Sequence, residues 1–202
     1  WRRQTPALLA ALGFATLVAS VTTAHADIFR WDNSQVIPGT EGITPGPGVQ
    51  LDQWNTEAHN LRYADFVGGL DLHQSSFRGS WLDNARFSNA NLSNGDFGPF
   101  SNSPAEFGAT LTGANLSGAN LTNANFAGST LTNANLTGAN LTNGYFGPRN
   151  SEPAEVGATL TGANLSGANL TNANFASSTL TNANLANANL TNGYFGRHST
   201  YP

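Results

Sequence analysis

The sequence has no cysteine, no methionine and no lysine, and only 10% of its 202 residues are charged. Without cysteine there is no disulfide framework, no thiolate zinc site and no cysteine nucleophile. With a formal net charge of -4, a basic nucleic-acid-binding surface is excluded as well. What the chain has in their place is 22 Gly and a wealth of Asn, set among Ala, Leu and Thr.

Residues 1–26 read as an export signal. Arg2 and Arg3 give a positive start, the stretch from Ala7 to Ala19 is almost wholly apolar, and Ala24-His25-Ala26 supplies small residues where a signal peptidase reads. Cleavage is expected between Ala26 and Asp27. The apolar run is shorter than a bilayer span requires, so no integral membrane segment is expected in the mature chain.

From Leu61 onward the sequence repeats. Residues 108–147 and 157–196 align at an offset of 49 and differ only at Gly128/Ser177, Thr137/Ala186 and Gly138/Asn187, the mark of an internal duplication. Within each copy an apolar residue recurs every five positions, from Leu111, Leu116, Leu121 and Phe126 to Phe146, and from Leu160 to Phe195. Two positions before each centre stands Ala, or once per copy Ser129/Ser178 and Gly144/Gly193.

Neither regular element can hold a period of five. In a strand, side chains alternate with period two, so successive centres would face opposite sides. In a helix they would spread around the whole surface. The chain must therefore turn once per five residues, with Ala and Leu inward and Asn and Thr outward. Phe77 and Phe97, Phe87 and Phe107, Phe126 and Phe146, and Phe175 and Phe195 are each 20 apart. Four pentapeptides per coil would stack every pair, with neighbouring coils joined as parallel strands about 4.8 Å apart. In Asn94-Gly95, Asn143-Gly144 and Asn192-Gly193 the Gly falls in the inward small slot, where it makes room for a Phe ring.

The units Ala114-Asn115-Leu116-Ser117-Gly118 and Ala134-Asn135-Leu136-Thr137-Gly138 resemble those of the pentapeptide-repeat family. The resemblance covers Leu61 to Gly196 and implies an all-β fold, a right-handed quadrilateral parallel β-helix. Two connectors, Gly98 to Gly108 and Gly147 to Gly157, break the pattern and suggest bulges or short loops at a corner. A one-residue slip falls between Phe66 and Leu72.

Stacking also predicts where charge pairs: Asp65, Arg86 and Glu106 as an outward ladder, and Arg62 over Asp83. Residues 27–60 are expected to cap the first coil, since an open coil presents unpaired backbone groups. The tail, residues 197–202, offers no comparable cap, and the last coil could pair end to end with another copy.

No catalytic motif, cofactor site or metal site is expected. Asp71 and His73 flank Leu72 and supply at most half a metal site, since zinc needs more ligands. The function expected is that of an exported, non-enzymatic structural or protein-interaction scaffold with an unknown protein or envelope partner. Outward Trp81, Tyr145 and Tyr194 are its candidate docking residues, because aromatic anchors dominate interface energies. Some members of the resembled family bind DNA gyrase as DNA mimics, which requires acidic surface, whereas residues 108–147 and 157–196 carry no charge. A further alternative is ice binding through Thr-x-Thr ladders of two rungs each: Thr110 and Thr112 over Thr130 and Thr132, and Thr159 and Thr161 over Thr179 and Thr181.

Overall fold

The computed structural model describes residues 27–52, 60–100, 107–148 and 157–196. The segment read as an export signal, including Ala26, and the tail lie outside the described residues.

Each pentapeptide contributes one short extended segment and one tight turn. The centre's carbonyl accepts from the amide three residues on, as in Ala114 N to Leu111 O at 3.0 Å and Ala119 N to Leu116 O at 3.1 Å. The residue two past the centre then needs positive φ, the requirement of a type II turn, and only Gly or Asn fills it cheaply. Gly113, Gly118, Asn123 and Asn133 fill it with φ of 68°, 65°, 59° and 56°, while Tyr63, Gln74 and Ser177 hold the same turn position at 62°, 60° and 55°. Helix and continuous strand are thus both excluded, and four turns close one coil.

Six coils stack, with centres Leu61, Phe66, Leu72 and Phe77 in the first, then Leu82 to Phe97, Leu111 to Phe126, Leu131 to Phe146, Leu160 to Phe175, and Leu180 to Phe195. The centres of coils 1 to 5 are buried, with Ala at most of the intervening inward slots. Neighbouring coils pair in parallel on all four faces, for instance Thr110 with Thr130, Asn115 with Asn135, Asn120 with Asn140 and Asn125 with Tyr145. On the fourth face Phe77, Phe97, Phe126, Phe146, Phe175 and Phe195 form one ring stack, with centroids 4.5 to 5.2 Å apart and planes within 10° of parallel. That spacing is set by the backbone, since it matches the distance between paired strands. Room for the rings comes from glycine. A Cβ on Gly144 would lie 3.1 Å from the Phe146 ring, and one on Gly193 would lie 2.8 Å from that of Phe195.

The register across the connectors differs from the even 20-residue spacing of the phenylalanines. Arg86 pairs with Asn115 and Thr130 with Thr159, each 29 residues on, whereas coils without an intervening connector pair 20 residues on. Each connector therefore adds nine residues to the chain between the fourth face and the first. The base of each excursion is the ordinary turn bond: Ala109 N donates to Phe97 O and Ala158 N to Phe146 O, both at 2.7 Å. Phe107 consequently does not stack on Phe87. It belongs to the excursion and is 74% exposed, while Leu116 occupies the place over Phe87. Arg86 likewise meets Asp65 at 3.7 Å but passes to Asn115 on its other side. Glu106, the expected third member of that ladder, lies outside the described residues.

Around the first coil, residues 28–37 form a small antiparallel hairpin whose Arg30 pairs with Ala64, and Gln50 pairs in parallel with Ser76. Ile28, Ile37 and Leu51 are buried against the coil. Gly68 and Gly69, with φ of 90° and 71°, absorb the slip between Phe66 and Leu72. At the other end, Leu190 and Phe195 of coil 6 are 41% and 43% exposed.

Candidate functional site

With the interior filled by side chains, whatever the molecule recognises must lie on its faces. Those faces differ in how they use their polar groups.

On the second and third faces of coils 3 to 6 the outward residue before each centre is Asn. Its Oδ1 accepts the backbone N–H two residues on, as in Asn115 to Ser117 at 3.1 Å and Asn135 to Thr137 at 3.1 Å. On the third face the neighbouring Thr hydroxyl donates to the same oxygen: Thr122 to Asn120 at 2.8 Å, and Thr142 to Asn140 and Thr171 to Asn169 at 2.7 Å. Asn Nδ2 then reaches across to the previous coil, Asn140 to Thr122 and Asn169 to Thr142, both at 3.0 Å. At the following corner Asn94, Asn123, Asn143, Asn172 and Asn192 bond in series at 2.9 to 3.2 Å. These faces largely satisfy themselves.

The first face is built differently, because Thr stands in coils 3 to 6 where the second and third faces have Asn. Thr110 pairs with Thr130, Thr130 with Thr159, and Thr159 with Thr179. The nine-residue excursion brings the two expected ladders into a single one of four rungs, with Thr112, Thr132, Thr161 and Thr181 beside them. Thr110 donates to Asp83 Oδ2 at 3.1 Å and Thr112 N to Asp83 Oδ1 at 3.0 Å. Among the described residues, the other seven hydroxyls and the N–H groups of Thr132, Thr161 and Thr181 bond to no protein group.

The candidate aromatic anchors do not form one surface. Trp81 lies on the first face above Thr110, with the Arg62 guanidinium 4.0 Å from its ring. Tyr145 and Tyr194 share the fourth face, separated by Asn174. Tyr145 donates its hydroxyl to Pro148 O, and its ring covers Gly147, where a Cβ would lie 3.0 Å from Cζ. Tyr194 is 50% exposed.

Charge is concentrated at the start of the helix. Arg62 meets Asp83 at 3.2 Å and Arg78 meets Asp96 at 3.5 Å. The His73 ring bonds Asp71 at 2.8 Å, and this bond holds the exposed carboxyl below the usual carboxylate range. Asn91 donates to the same oxygen at 2.9 Å. Among the described residues no group of three or more His, Asp or Glu is placed to hold a metal ion.

Two functional positions had escaped the sequence reading. Ser129 and Ser178 occupy the inward slot that is otherwise Ala and donate to Phe97 O at 2.8 Å and Phe146 O at 2.7 Å. They brace the carbonyls from which the excursions depart. Gly108 and Gly157 close those excursions, and a Cβ on either would come within 2.7 Å of backbone oxygen. The signal was present: each Ser falls once per copy, one coil beyond a connector.

Several solved structures are similar to this chain. HetL, a pentapeptide repeat protein involved in heterocyst differentiation regulation from the cyanobacterium Nostoc sp. strain PCC 7120, is 27% identical over 75% of this chain and 69% of its own, with a TM-score of 0.48. A pentapeptide repeat protein from the Arabidopsis thaliana thylakoid lumen is 31% identical over 55% of this chain and 65% of its own, with a TM-score of 0.40. QnrB1, a plasmid-mediated fluoroquinolone resistance protein, is 14% identical over 73% of each chain, with a TM-score of 0.50. No curated protein sequence matches. The family model for pentapeptide repeats matches in eight copies over residues 71–98, 107–143 and 156–192. With that match, and with four turns per coil in parallel register, the fold is the right-handed quadrilateral β-helix and the chain belongs to the pentapeptide-repeat family.

Proposed function

We propose that this protein is an exported, non-enzymatic scaffold that binds through the flat, uncharged faces of its β-helix. The observation that carries the reading is the surface of coils 3 to 6. Residues 108–147 and 157–196 present four faces of Asn, Thr, Ser and Gly without a single charged side chain. Such a surface offers no acid, base or nucleophile of shifted reactivity, which chemistry at a site generally needs. It also lacks the acidic array that imitation of DNA phosphates would require. The charged, Ala-rich segment of residues 1–26 supports export.

The test is to express the full chain in a bacterial host, fractionate the cells and determine the N-terminus by mass spectrometry. A chain beginning at Asp27 outside the cytoplasm is the expected result. An uncleaved cytoplasmic chain would overturn the export reading, and inhibition of gyrase supercoiling by the purified mature protein would overturn the exclusion of DNA mimicry. For the scaffold reading, replacing Tyr145 and Tyr194 with Ser is expected to weaken partner capture from envelope fractions more than replacing Trp81, whose ring is engaged by Arg62. Equal capture by all variants would remove the aromatic docking idea.

A further inference from the structure

The first face carries something the other faces lack: a two-dimensional array of polar groups left unused by the protein. We propose that this threonine face binds the surface of ice. The inference goes beyond the scaffold reading by naming what one face recognises, and it rests on that reading only in requiring binding without catalysis.

The geometry is a grid. Within a rung the first Thr stands at the bridged position and the second, two residues on, at the start of the turn, and successive rungs are about 4.8 Å apart. Four bridged rungs, from Thr110 and Thr112 through Thr130, Thr132, Thr159 and Thr161 to Thr179 and Thr181, repeat this cell without a break. An array that presents the same side chain at a fixed spacing along the stack is the kind of surface that an ordered layer of water can meet row by row. A soluble ligand has no such repeat, whereas a crystalline water surface has it in both directions.

The chemistry fits the same partner. β-Branched Thr is restricted at χ1, so identical backbone segments hold their hydroxyls and methyls alike. Among the described residues seven of the eight hydroxyls make no bond to protein, nor do the N–H groups of Thr132, Thr161 and Thr181. Each inner rung thus offers water two hydroxyls and an amide, interleaved with methyls. On the third face the same residue type is consumed, since Thr122, Thr142, Thr171 and Thr191 all donate to Asn within their own turn. The two faces share a backbone and a threonine content but differ in whether those hydroxyls are available. Among the described residues no charge interrupts the array, and Asp83 meets it only at its first rung.

The experiment compares thermal hysteresis and ice-crystal faceting for the full chain, for Thr132→Lys/Thr161→Lys on the first face, and for Thr142→Lys/Thr171→Lys on the third. Circular dichroism confirms that each variant folds. The expected result is hysteresis and faceting for the parent chain, loss of both to the level of a control protein in the first-face variant, and retention in the third-face variant. Absence of hysteresis and faceting in the parent chain, or equal loss in both variants, would overturn the proposal. The scaffold reading is untouched by either failure, since it is read from export and partner capture. Should the first-face variant misfold, Thr132→Val/Thr161→Val keeps shape and methyls, and unchanged hysteresis and faceting with it would overturn the hydroxyl part of the proposal.

Discussion

Coils 1 and 2 hold their register by one chemistry and coils 3 to 6 by another. In the first two, Arg62 meets Asp83, Arg86 meets Asp65 and Arg78 meets Asp96, and phenylalanines on two faces touch edge to face at 5.7 to 6.4 Å. In the later coils there is no charge. A single phenylalanine stack and rows of Asn set the alignment. The difference shows that a coil of four pentapeptides needs only a filled interior and an αL residue at each corner, while the outward positions are open to different solutions. Surface function can change there without disturbing the fold.

The largest effect should come from the feature both regions share. Phe126→Ala removes a ring stacked between Phe97 and Phe146, and stability should fall by about 3–5 kcal/mol, read by chemical denaturation. In a repeat array the loss should spread to the adjacent coils, so hydrogen exchange should rise in coils 2 to 4 before coil 1. A uniform rise throughout the helix would contradict this.

The next effect distinguishes the later coils. Asn143 has φ of 58°, donates to Asn123 at 2.9 Å and accepts from Asn172 at 3.0 Å. Asn143→Ala forfeits both bonds and puts a Cβ-bearing residue without local hydrogen bonding into αL, a loss of about 1–2 kcal/mol. Asn143→Gly keeps the conformation and should lose less. If Gly is the worse replacement, the ladder rather than the corner conformation governs stability.

How much of this was legible beforehand follows from where the information sits. The five-residue period and the Ala-x-Leu alternation state directly which side chains point inward, so the coil, the Phe stack and the Arg62–Asp83 contact were all within reach. Gly95, Gly144 and Gly193 also declared themselves, because only a missing Cβ fits beside the ring. Register across the connectors was misread, because Phe87 and Phe107 happen to lie one coil length apart. The duplication offset of 49 held the answer: two 20-residue coils account for 40, and the remaining nine are the excursion. From that error followed the division of one four-rung threonine ladder into two. The hydrogen-bonding contrast between Thr and Asn faces was not legible at all, since it depends on which acceptor each hydroxyl reaches in three dimensions.

Smaller effects should separate the two regions by solution conditions. Arg62→Gln breaks a partly buried ion pair and the cation–π contact with Trp81, so the loss should be about 1 kcal/mol and should shrink as salt rises. Melting at low and high salt checks it. The Asn143 variants should show no such dependence.

The response to acid is smaller still. Hydrogen bonds from His73 to Asp71 and from Arg30 to Asp32 hold both exposed carboxyls below their ordinary range. A carboxyl depressed in the folded state contributes stability above its unfolded value, about 4, and loses it as pH falls through the folded one. Melting temperature should therefore decline below about pH 4, and less so in Asp71→Asn. Coils 3 to 6 hold no acid, Arg or His to take part.

The central claim is a single unbroken register of coils to which each connector adds nine residues that the register does not need. Deleting residues 99–107 joins Gly98 to Gly108 and sets Phe97 five positions before Leu111; deleting 148–156 does the same for Phe146 and Leu160. Thermal melting of the double deletion, followed by circular dichroism, tests this directly. The parent's β signature should persist with a melting temperature within about 5 °C, since loop length enters stability only logarithmically. An unfolded chain, or one melting far below its parent, would show that the connectors belong to the coil.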